Sequence, residues 1–179
     1  MKRKLIGTLF VAGYLCTGMV SAENDSGSNL SARLSGVNEV PLAIFSPGSG
    51  QLDVSINEGA GTIQYTLSYS GLTSPVTQAH IHFGKKHVAG GVIAFLCSNL
   101  GNGPAGTPAC PEVEGTISGT ITAEGVVAQA PQNVSAGDFT ALVTALKTHT
   151  GYGNVHSTKF PAGEIRGQLL TARERNDRK

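Results

Sequence analysis

The chain has 179 residues, with 13 lysines and arginines against 12 aspartates and glutamates. That length suits one domain with an interior large enough to fold without several staples. The near balance of charge leaves no basic stripe for a nucleic-acid partner, so no nucleic acid is expected.

The chain begins Met1-Lys2-Arg3-Lys4, continues through an apolar run to Val20, and reaches Val20-Ser21-Ala22 before Glu23. A basic start, an apolar centre and small residues at the end are the parts of a secretory signal peptide, with cleavage expected after Ala22. The run is short of the roughly 20 residues of a membrane span and is interrupted by Gly and Thr. The expected product is therefore secreted or periplasmic, with no membrane association after cleavage. The divisions read as signal peptide 1–22, flexible leader 23–29, one domain over 30–170, and a charged, disordered tail over 171–179. Removal of 1–22 turns the balance slightly acidic, and the basic residues that remain are concentrated in the tail.

Residues 30–40 alternate weakly until Pro41, which should end or offset the strand. The segments 51–57 and 62–68 alternate cleanly between apolar and polar residues, with Glu58-Gly59-Ala60-Gly61 between them, and read as an antiparallel hairpin. Ala79-His80-Ile81-His82-Phe83-Gly84 reads as a strand with both imidazoles on one face and Ala79, Ile81 and Phe83 on the other. Residues 91–96 are nearly all apolar, as in a buried strand. Cys97 and Cys110 bound a Gly/Pro/Asn-rich loop; Cys16 falls in the signal segment, and the two cysteines left in an exported chain favour a disulfide across the loop.

Residues 115–122 and 125–130 read as further β-segments. A helix is expected over 136–147, with Phe139, Leu142, Val143 and Leu146 on one face. Ser135 is placed to cap it, with Asp138 three residues on. Tyr152-Gly153-Asn154-Val155-His156 and 163–169 repeat the division of labour of the His-x-His strand. Val155, Ile165 and Leu169 point one way; Asn154, His156, Glu164, Arg166 and Gln168 point the other. Short strands, Gly-rich turns and one short helix indicate an all-β fold, an antiparallel Greek-key β-sandwich of immunoglobulin-like or superoxide-dismutase-like form.

Several landmarks occur together: Leu34-Ser35-Gly36-Val37-Asn38-Glu39-Val40-Pro41, Tyr69-Ser70-Gly71-Leu72, the His-x-His strand, Tyr152-Gly153-Asn154-Val155-His156-Ser157, and Pro161-Ala162-Gly163-Glu164-Ile165-Arg166-Gly167-Gln168-Leu169. In this order they resemble the CHRD module, first described in chordin and found also in bacterial exported proteins. The resemblance implies an extracellular β-domain whose biochemical role is poorly defined. Two features depart from it: Leu42 stands where a second proline is usual, and the cysteine-bounded loop is a local elaboration.

Two histidines two apart on a strand ligate one divalent metal if their rings converge, and His156 completes a three-nitrogen set. Copper, zinc or iron would suit it. Glu164 and Arg166 are expected to frame the site, with Asn154 as a further polar contact and His87 as a reserve ligand. The competing expectation is that the histidines bond neighbouring loops and that Glu164 and Arg166 form a structural ion pair. The order His80, His82, His156, Arg166 is also similar in outline to Cu,Zn superoxide dismutase, which makes a copper-dependent oxidoreductase the first alternative. No dense zinc loop accompanies it. The second alternative is a structural or adhesive domain whose polar face binds an extracellular protein or matrix component. No nucleophile elbow or phosphate loop is present, so a binding module is favoured over an enzyme.

Overall fold

A computed structural model describes residues 28–177. The signal segment, its cleavage point and most of the leader lie outside the described residues. Eight strands form: β1 (Asn29–Ser35), β2 (Ser49–Asn57), β3 (Thr62–Ser70), β4 (Val76–Phe83), β5 (Gly91–Ser98), β6 (Gly115–Ile121), β7 (Gly151–Ser157) and β8 (Ile165–Gln168). Helix α1 (Phe139–Lys147) joins β6 to β7, and α2 (Ala172–Asn176) follows β8. Among the described residues no helix is long and apolar enough to cross a membrane.

The expected hairpin is β2–β3. Its alternation holds through nine paired positions, from Ser49 opposite Ser70 to Asn57 opposite Thr62, and sends Leu52, Val54, Ile56, Ile63, Tyr65 and Leu67 inward. All the ladders are antiparallel and link the strands into one sheet in the order β5-β4-β7-β8-β1-β2-β3-β6. The sheet curls until its two end strands meet. The fold is thus all-β and barrel-like, and this pairing order lends no support to the finer expectation of a Greek-key sandwich. The interior holds Leu34, Leu52, Ile63, Leu67, Ile81, Leu96 and Ile165, all sealed from solvent. Each such side chain contributes about 1.5–3 kcal/mol by leaving water.

Where β5 and β6 meet there is no ladder, and side chains make the seam. Tyr65 on β3 crosses beneath β6 and donates its hydroxyl to the Leu96 carbonyl on β5, 2.6 Å away. It passes at Gly119, the residue opposite it, where a Cβ would lie 2.5 Å from the Tyr65 oxygen. Only glycine fits that crossing. The Cys97–Cys110 disulfide closes the loop that leads from β5 toward β6, as the cysteine count suggested. Along the free edge of β5, Val127 N–H donates to the Ile93 carbonyl at 3.0 Å and Ser98 N–H to the Pro108 carbonyl at 2.9 Å.

Four local expectations are corrected. Residues 125–130 form no strand; Ala123–Gly125 is a 3₁₀ turn, and only isolated bridges follow at Val126 and Gln129. Helix α1 starts at Phe139 instead of 136, because Gly137 takes a left-handed φ of 82°. Its cap is therefore Asp138, whose carboxylate accepts from Ala141 N–H at 2.9 Å, and not Ser135. The helix lays Leu142, Ala145 and Leu146 against the core as expected. Finally, part of the tail expected to be disordered is helical. Thr171 and Glu174 form a reciprocal capping box at the start of α2, and Glu174 also lies 2.8 Å from His149 Nε2.

Candidate metal centre

Along β4, Ala79 and Ile81 are sealed in the interior, and the alternation turns His80 and His82 to the outer face. On β7 the residues beside them are Tyr152, Asn154 and His156, with Gln78 opposite His156, His80 opposite Asn154, and His82 opposite Tyr152. Register shifts on the β5 side fall at Ala79/His80 and Ile81/His82. Such irregularities re-aim side chains, and here one brings the Phe95 ring edge-on to His80, 4.4 Å between centroids.

The outer face is nevertheless dry: His80, His82 and His156 are only 2%, 7% and 6% exposed. Loops roof it over. The 84–90 loop supplies the Gly90 carbonyl, 3.0 Å from His82 Nδ1, and the 158–163 loop supplies the Pro161 carbonyl, 3.0 Å from His156 Nδ1. A carbonyl only accepts, so both Nδ1 atoms carry the proton and both Nε2 atoms keep a lone pair. His156 Nε2 faces His80 Nδ1 at 3.2 Å, while His82 Nε2 and His80 Nε2 are sealed without a partner.

One ligating atom from each of the three rings lies within 4.8 Å of the other two. Three nitrogens bound to one tetrahedral ion at 2.0–2.1 Å stand roughly 3.3 Å apart. The His80–His156 pair already has that spacing, and a His82 nitrogen lies within 4.8 Å of both. Burial drives the His80 pKa down to about 2, helped by His156 and His82. Burial also takes His82 down to about 4 against the opposing Gly90 carbonyl, and holds His156 below its ordinary value against Pro161. All three rings are therefore neutral at pH 7, the form in which imidazole binds metal.

The residues expected to frame the cluster divide. Arg166 lies opposite Asn154 across the β7–β8 ladder, and its guanidinium carbon sits 3.4 Å from the centroid of Tyr152. The Tyr152 ring in turn stacks on His82 at 4.8 Å and 11°, so one aromatic ring contacts both His82 and Arg166. Arg166 donates to the carbonyls of Val88 and Lys85 at 2.9 and 3.3 Å. It forms no ion pair with Glu164. That carboxylate is turned aside, where Ser46 Oγ, Thr73 N–H and Ser157 Oγ donate to it at 2.7, 2.8 and 2.5 Å. His87 is not in the triad; it sits at a left-handed φ of 64° in the 84–90 loop and lines a separate cavity with Lys86.

Two further members were not assigned a place from the sequence. Tyr152 was legible, since it shares a strand face with Asn154 and His156. Glu39 follows a 3₁₀ turn (Gly36–Asn38) and had no periodicity to place it. Its carboxylate is buried against Asn154, whose Nδ2 donates to Oε2 at 3.4 Å. Burial raises its pKa to about 7, although Arg166 and Asn154 pull the other way. Glu39 Oε1 and Asn154 Oδ1 remain sealed and unpartnered.

A curled antiparallel sheet with a roofed imidazole cluster on its outer face defines an all-β module with a built polar site. The model of the CHRD domain family matches residues 30–169, and the chain belongs to that family. No curated protein and no solved structure matches it.

Proposed function

We propose that the protein is an exported CHRD-type binding module that holds one transition-metal ion, copper, zinc or iron, through His80, His82 and His156. The observation that carries the reading is the meeting of neutral imidazole nitrogens in a dry site. The Nδ1 protons of His82 and His156 are committed to carbonyls, the Nε2 of His156 faces His80, and the Nε2 of His82 is sealed without a partner. Imidazole nitrogen suits those three metals. The Gly90 and Pro161 carbonyls supply the outer contacts that commonly orient metal-bound histidines. Export rests on the signal-like segment 1–22.

The test is elemental analysis of the mature protein after mild dialysis, beside a folded His80→Ala/His82→Ala variant. About one equivalent of metal on the native chain, lost from the variant, supports the reading. A native chain that takes up no copper, zinc or iron refutes it and leaves a structural or adhesive domain for an extracellular protein or matrix component. A second reading, a copper-dependent superoxide dismutase-like oxidoreductase, draws on Arg166, whose charge acts on His82 beside their shared contact with Tyr152. Superoxide consumption by the copper-loaded chain separates it from simple binding.

A further inference from the structure

A second cavity lies between the 84–90 loop, β8, β1 and α2. Its volume is about 390 Å³, within the range of small-molecule sites. Arg33, Lys86, His87, Arg166 and Arg175 line it, and no aspartate or glutamate does. The described residues hold eight lysines and arginines against ten acidic residues. Half of those cations thus surround one cavity in a region of net negative charge. Other clefts of the molecule include a carboxylate, such as Asp53 or Glu114.

Among the described residues none of these cations is held in a direct ion pair, although Glu39 acts on Arg166 at longer range. The ion pairs found among the described residues join Lys147 to Glu58 and His149 to Glu174, and involve none of the four cavity cations. Arg175 spends its bonds on the carbonyls of Leu170 and Ser31, at 2.7 and 3.5 Å. Arg166 is only 3% exposed, and one of its nitrogens serves the Val88 and Lys85 carbonyls. None of its nitrogens is a sealed, unpartnered donor, and the residue lines the cavity. A guanidinium held this deep with no carboxylate in direct contact, only the charge of Glu39 at longer range, is costly to desolvate, and a planar fork of donors suits an oxyanion.

We infer that this cavity binds a small organic anion through a carboxylate, phosphate or sulfate group. Arg166 takes the oxyanion at the floor, and Arg33, Lys86 and Arg175 balance the charge around it. Asn38 and Gln168, also on the lining, hold ordered side-chain amides, since Asn38 Nδ2 donates to the Arg166 carbonyl at 3.1 Å and Gln168 Nε2 to the His149 carbonyl at 2.8 Å. The inference stands on the cavity and its charges, independently of the metal.

The test is an NMR titration of the isotopically labelled mature protein at low ionic strength with inorganic phosphate, sulfate or citrate, using glycerol as the uncharged control. Saturable shifts of the Asn38 and Gln168 side-chain amides are expected with at least one anion and not with glycerol. The tightest of the three anions identifies the favoured oxyanion. Arg33→Ala/Arg175→Ala should weaken that binding at least tenfold. Because Arg175 also ties α2 to β1, Lys86→Glu serves as a second variant and should weaken it too. If no anion shifts these amides, or if the variants bind as the parent does, the inference is overturned. Equal shifts around Lys147 and Lys159 would indicate general screening and overturn it as well.

Discussion

Replacing Glu164 should cost the fold more than replacing any residue of the histidine cluster. Its carboxylate is fully buried, and one oxygen accepts from Ser46 Oγ and Thr73 N–H while the other accepts from Ser157 Oγ. The three bonds tie the loops before β2 and before β4 to the end of β7. A hydrogen bond to a charged group contributes roughly 1.5–3 kcal/mol, and each stranded buried donor costs about 1–3 kcal/mol. Against this stands the desolvation of the carboxylate, which removal recovers. The balance for Glu164→Ala is a loss of about 3–5 kcal/mol. Glu164→Gln, which keeps one acceptor oxygen, should lose about 1–3 kcal/mol. Such losses are large against a total stability of about 5–15 kcal/mol. Urea unfolding at pH 7, with the slope compared between variants, reads the difference.

The same residue carries a pH signature. Burial pushes the Glu164 carboxyl up, but the bonds from Ser157, Ser46 and Thr73 outweigh it and hold its pKa below 4.5. A depressed folded pKa stabilises above the unfolded value and is lost as pH falls through the folded one. The gap between parent and Glu164→Ala should therefore be full above pH 5 and shrink toward pH 3. An alanine variant within 1 kcal/mol of the parent at pH 7, with unchanged slope, would refute the reasoning.

Glu39 behaves in the opposite sense. Its folded pKa, raised to about 7, makes the native state hold a proton that the unfolded chain releases above about 4.5, so its contribution falls from pH 4.5 to 7 and is flat beyond. Glu39→Gln should be more stable than the parent at pH 8 and lose that advantage at pH 4.5, read by urea unfolding; equal gaps at both pH values would contradict this. Reducing Cys97–Cys110 should cost about 3 kcal/mol from loop closure, and thermal unfolding with and without reductant checks it; unchanged midpoints would count against it. Gly163 takes φ 133°, where a Cβ would lie 2.6 Å from Asn154 Oδ1 and 2.8 Å from Glu39 Oε2. Gly163→Ala should thus cost about 1–3 kcal/mol, and a variant as stable as the parent would show that the Glu39–Asn154 pair yields.

Period-2 alternation explains most of what the sequence disclosed. It placed the β2–β3 hairpin, put His80 and His82 on one face, and set His156 on the matching face of a later strand. It failed where local geometry departs from a regular strand. Phe95 meets His80 because the β4–β5 register shifts, which no pattern in 91–98 signals. Glu164 shares strand parity with Arg166, yet it precedes β8 and its carboxylate meets donors from three other segments. Charge density favoured disorder after residue 170, whereas Thr171 and Glu174 stand at capping-box spacing. That local signal prevailed.

The seam between β5 and β6 bears on how the chain behaves beside copies of itself. An end strand offers a row of unpaired amides and carbonyls to any passing strand. On β5 the carbonyls of Ile93 and Leu96 are taken by Val127 and Tyr65, and Ser98 N–H is held by Pro108. Strand addition from a second molecule would have to displace a segment of the protein's own chain. Closing the sheet on itself thereby shields one flank from runaway polymerisation, a safeguard that a shortened 99–110 loop or a side chain at Gly119 would weaken.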